Sequence, residues 1–247
     1  MPSRTDLSFS ISPRSAAVVL SVVAVVLSLL SWLAHFAHYA LRYDNLFGFR
    51  GLFDVGSDIS IPTWYSSFAL LISAILLGLI ATVKTRNAER YAKHWAALAI
   101  IFLLMSVDEV AGFHERSGQL LSRFVETTGV LYYSWVILGI AFVIVFVIAY
   151  LGFLVHLPPR TRNLFIVAGA VFVGGALGVE MYNSRYEYLY GMDLHYQTTT
   201  TIEEFLEKIG IVIFIYALLS YMRKYLPSFY IRIDGAEDGR SGSAVKI

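Results

Sequence analysis

Residues 131–157 read LYYSWVILGIAFVIVFVIAYLGFLVHL, 27 positions without a single Asp, Glu, Lys or Arg. At about 1.5 Å rise per residue such a run crosses the roughly 30 Å hydrocarbon core of a bilayer. Five more segments meet the same length, near 16–40, 62–83, 94–112, 164–182 and 202–221. Lipid offers the backbone no hydrogen-bond partners, so each run closes its own bonds as a helix. The expected fold is all-α: a polytopic membrane helix bundle with six transmembrane helices. The composition agrees, with 57% hydrophobic residues, 15% charged residues and a mean hydropathy of +0.64.

Arg4 and Arg14 precede the run at 16–40 in the manner of a signal peptide. The run is too long for one and lacks a small-x-small cleavage site, so it reads as a retained first span. An even number of spans brings both termini to one side. The tails, the 84–93 loop and the 158–162 turn hold 13 of the 19 Lys and Arg, whereas the other three loops hold five. That bias predicts cytoplasmic termini. The expected organisation is an N-terminal tail (1–15), one six-helix domain (16–225) and a flexible cytoplasmic tail (226–247). The far loops, near 41–61, 113–130 and 183–201, are rich in tyrosine and suit an interfacial aromatic belt.

There is no cysteine, which removes disulfides, thiolate metal ligands and cysteine nucleophiles together. The net charge of +1, with basic residues dispersed among short loops, excludes a nucleic-acid stripe. The expected partners are the lipid bilayer and a lipid-like substrate; the oligomeric state is open.

The acids of the spans gather at one face. His35 and His38 end span one, Asp108, Glu109, His114 and Glu115 end span three, Glu180 ends span five, and Glu203, Glu204 and Glu207 open span six. Charge near hydrocarbon is costly, so it marks chemistry or binding. Glu203 and Glu207 are four apart and share a helical face; Gly210 below them admits a close neighbour. Two carboxylates about 6 Å apart repel by roughly 3 kcal/mol at an effective dielectric of ~20, which calls for a proton, cation or arginine between them. Glu204 fits a helix cap and an i,i+4 pair with Lys208. Asp108 and Glu115, seven apart, share a face, with Glu109 and His114 turned elsewhere unless the helix breaks at Gly112. In span five, Ala170, Gly174 and Gly178 form a small-residue stripe for close packing, and Glu180 lies on another face. His38 and His35, three apart, suit a ligand pair, or an interfacial one.

The strings Val-Asp-Glu-Val-Ala-Gly-Phe-His-Glu (107–115), Gly-Val-Glu-Met (178–181) and Thr-Ile-Glu-Glu-Phe-Leu-Glu-Lys-Ile-Gly (201–210) resemble a group of uncharacterised bacterial six-span membrane proteins. That resemblance supports the topology and implies no activity. More loosely, Ser106 and Asp108 are similar to the pattern of ceramidase-like membrane hydrolases, which use Asp, Ser and several His around zinc. The two-histidine motif of a late span is missing here.

Three functions remain open. One is a metal-dependent hydrolase of a lipid-borne substrate, with Asp108, Glu180 and Glu203 catalytic. Its divalent zinc, manganese or iron would be held by Asp108, His114, Glu115, Glu180, Glu203, Glu207 and His38. The others are a cation- or proton-coupled transporter and a non-catalytic structural or accessory subunit. The setting expected for each is a bacterial inner membrane with the site facing the periplasm or exterior.

Overall fold

The structure, a computed structural model, describes residues 12–43 and 48–226. Most of both expected tails, up to residue 11 and from residue 227, lies outside the described residues. Within them every regular element is helical. The six spans are α1 (Pro13–Tyr39), α3 (Ile61–Arg86), α4 (Ala92–Ala111), α6 (Trp135–His156), the composite Pro159–Tyr190, and α9 (Leu194–Tyr225), each long and apolar enough to cross a membrane. Short helices α2 (Phe49–Phe53) and α5 (Phe113–Leu121) join them on one side. We call that side the acid end, and the side from which the tails depart the tail end.

Local chemistry starts the spans. Ser12 accepts from Ser15 N ahead of Pro13, Ser60 accepts from Thr63 N ahead of Pro62, and Asp193 accepts from Tyr196 N. Each side chain satisfies a donor that the helix itself leaves unpaired. The composite fifth span is α7 (Pro159–Val173), a π-helical turn over Gly174–Val179, and α8 (Glu180–Tyr190). The loop expected near 183–201 is therefore mostly helix. Only the 191–193 corner interrupts it, where Gly191 takes φ +77 and Asp193 caps the next helix. At 32 residues each, the fifth and sixth spans run to about 48 Å and project beyond the hydrocarbon.

Helix α9 is the axis of the bundle, packed against α1, α3 and α7 and half buried along its most apolar window. At the tail end the core is aromatic and aliphatic: Ile80, Trp95, Phe153, Phe165, Phe214 and Leu218. Lipid is as apolar as these side chains, so close backbone approach has to supply the association. Gly210 provides it on α9: a Cβ there would stand 2.8 Å from Phe172 Cβ and 3.0 Å from Ala168 O. The expected stripe in span five does not pack. Ala170, Gly174 and Gly178 are exposed, and both glycines face open space. The π turn carries Gly175 inward instead, where a Cβ would meet Glu203 O at 2.9 Å.

Candidate functional site

The acid end begins at a break. Gly112 takes φ +59, a left-handed conformation that glycine adopts without strain, and closes α4 through its N–H to Asp108 O. The chain turns there, so Asp108 accepts both from His114 N (2.9 Å) and from the imidazole Nδ1–H (2.8 Å). Burial pulls the His114 pKa down, but the Asp108 bond and the charges of Asp108, Glu115 and Glu109 outweigh it and hold it above the ordinary value. With Nδ1 committed, Nε2 is left for proton exchange. The same break dissolves the expected pairing of Asp108 with Glu115, which is exposed on α5.

Below this dyad lies a polar layer built from five helices. Trp135, at the start of α6, packs edge-on against His114 and donates its indole N–H to Glu180 Oε1 (3.0 Å). The Glu180 carboxyl faces that of Glu203 across the α8–α9 interface. Asn183, fully buried, donates through Nδ2 to Glu203 Oε2 (2.6 Å), and its Oδ1 has no partner among the described residues. Lys208, 1% exposed, donates to Glu204 Oε2 (2.5 Å) and Glu204 O (3.3 Å). Glu109 and Glu207 both face this Lys208–Glu204 pair, and the buried Ser66 hydroxyl stands beside Glu109. Five carboxyls thus lie in one layer with a single buried ammonium, which Glu109, Glu204 and Glu207 face directly.

A strap covers α1 and α9. Asp54 accepts from the buried His35 imidazole (3.1 Å), Ser31 Oγ accepts from Val55 N, Gly56 lies over Thr200, and Asp58 reaches the Gly112 corner. Burial would raise the Asp54 pKa, but the His35 bond and charge and the Gly56 N–H together hold it below the usual carboxylate value. A second closure joins Tyr133, which donates to Glu187 and meets Tyr196 OH at 2.7 Å. Burial and the Glu187 contact push the Tyr133 phenol upward.

Asp108, His114, Glu180, Glu203 and Glu207 all belong to the layer or its rim. His38 does not join it: its ring lies edge-on to Tyr39, and the histidine facing the carboxyls is His114. Among the described residues no three His, Asp or Glu side chains are grouped so as to hold a metal ion. Sequence spacing alone did not single out Trp135 or Asn183, because a Trp at a span start and an Asn among tyrosines both fit an interfacial belt. Glu109 and Lys208 carried a signal as charges inside apolar spans.

Fold and site define the class: a six-span helical membrane protein with a carboxyl-rich layer buried at one end. The chain belongs to the family described as domain of unknown function (DUF8692), whose match spans residues 16–222. Neither a curated protein nor a solved structure matches it.

Proposed function

We propose that the buried layer is an acid–base centre facing the exterior of a bacterial inner membrane, and that it hydrolyses an ester or amide bond of a lipid-borne substrate. The observation that carries this reading is the charge balance, five carboxyls against Lys208. Ionised together they would repel by several kcal/mol per close pair, about 3–4 at an effective dielectric of ~20. One divalent cation offsets only part of that surplus, so protons, alone or beside such a cation, would neutralise it, and either neutraliser serves hydrolysis. Protonated Glu180 and Glu203 would supply general acids, with His114, oriented by Asp108, exchanging protons with the aqueous phase. Zinc, manganese or iron would instead require Glu180, Glu203 and Glu207 to turn toward one point and would activate a water there.

Metal analysis by mass spectrometry of detergent-purified protein, beside the Glu203→Gln/Glu207→Gln variant, separates these cases. Stoichiometric metal lost in the variant establishes the cation. Metal-free protein with an infrared carboxylic-acid band that disappears in Glu203→Gln establishes the proton. A protein showing neither would sink the acid–base reading. Hydrolysis itself is tested by incubating proteoliposomes with mixed ester and amide lipids. Wild type is expected to release fatty acid, and Glu180→Gln and His114→Asn are expected to release none.

A proton- or cation-coupled carrier is the second reading, favoured by the π-helical turn beside Glu180. Such interruptions recur at functional sites and in carrier helices. Against it stands the aromatic core that fills the tail half, with no polar path through Trp95, Phe153, Phe165 and Phe214.

A further inference from the structure

The tail end contains a second polar feature that the acid layer does not touch. A cavity of about 160 Å³ opens between the 87–91 turn, α3, α4, α6 and α9, walled by Lys84, Glu89, Arg90, Tyr91, Trp95 and His156. We propose that this cavity binds a phosphate-bearing anion.

Lys84 is nearly buried at the end of α3, donates to Glu89 Oε2 (2.5 Å), and stands 5.6 Å from the Tyr221 ring centre. Glu89 is the one carboxylate in the wall; it pairs with Lys84 and also faces His156. Arg90 is surplus: it forms no ion pair among the described residues. Its guanidinium is held over the Tyr91 ring at 4.9 Å, which fixes its planar fork of donors without consuming them. The His156 ring lies 5.1 Å from that of Tyr91 and adds a further donor at the rim. A cavity with two full cations, an imidazole and one carboxylate favours an anion. A tetrahedral phosphate presents enough acceptor oxygens to engage Lys84, Arg90 and His156 together.

The backbone supports the same assignment. Ala88 (φ +51) and Tyr91 (φ +66) both occupy the left-handed region within one five-residue turn, where residues bearing a Cβ are strained. That turn holds Arg90 and Tyr91 against the cavity, and strain of this kind concentrates at binding sites. The volume suits a headgroup or free phosphate, while Trp95, Phe153 and Leu157 offer apolar walls beside it.

The test uses the full-length protein in detergent, with phosphatidylglycerol, phosphatidylcholine and inorganic phosphate as probes. Tightly bound lipid is counted by native mass spectrometry, and phosphate binding is read as a rise in melting temperature. The Arg90→Gln/His156→Gln variant leaves the buried Lys84–Glu89 pair intact and so avoids a folding defect. Arg223→Gln/Lys224→Gln removes two full cations, at least as much charge as the cavity variant, from the same end outside the cavity. Wild type is expected to retain phosphatidylglycerol, the cavity variant to bind it roughly tenfold or more weakly, and the control to stay within about twofold. Stabilisation by inorganic phosphate that the cavity variant loses, without lipid retention, identifies free phosphate as the source. Equal retention of phosphatidylcholine, an equal loss in the control variant, or no response to either anionic probe overturns the proposal.

Discussion

Lys208 is the residue on which the acid layer depends. Its ammonium is shut away from water and lipid, and its direct partner is Glu204. Removing one member of a buried pair strands the other charge, so Lys208→Met should cost about 3–5 kcal/mol, read from denaturant unfolding in detergent. Adding Glu204→Gln should recover most of that loss; a double variant as unstable as the single one would show that the pair is not the source. His114 gives a pH signature. Its pKa is raised above 6.5 in the folded protein, so its bond to Asp108 contributes fully below that unfolded value. The contribution is lost as pH rises through the higher folded value. Melting temperature should therefore fall as pH rises above 6.5 in wild type, and Asp108→Asn should flatten that slope.

At the scale of elements, two glycine environments in span five make opposite predictions. Gly175 faces the Glu203 carbonyl at a distance no Cβ accepts, and Gly210 faces Phe172 in the same way from α9. Gly175→Ala and Gly210→Ala should each destabilise the protein by about 1–3 kcal/mol, because backbone must move apart to admit the methyl. Gly174 and Gly178 face open space. Ala at either should change the melting temperature little, or raise it slightly by restricting the unfolded chain. The contrast tests whether the π turn rotates Gly175 rather than Gly174 into the α9 interface. An uninterrupted helix keeping the four-residue stripe inward would give the reverse ranking.

For the whole molecule, the absence of cysteine makes topology directly measurable. Ser122→Cys, beyond α5 at the acid end, is expected to react with a membrane-impermeant maleimide in intact cells. Asn87→Cys, at the tail end, should react only after the membrane is opened. The reverse pattern would place the acid layer on the cytoplasmic side. Six spans could be read directly from the chain, because hydrocarbon thickness sets a length that apolar runs either meet or miss. The gathering of acids at one end could be read too, since alternating spans carry each residue to a known side. Sequence alone also paired Glu204 with Lys208, a contact local to one helix. The remaining contacts needed the tertiary structure. The left-handed Gly112 decided that His114 joins Asp108 and Glu115 leaves it, and the π turn decided which glycine packs. Likewise, the order of helices around α9 brought Trp135, Glu180, Asn183 and Glu203 into one layer. Length and polarity are additive along the chain and survive in one dimension, whereas a helix break rotates everything beyond it, so which side chains meet is settled only when the helices pack.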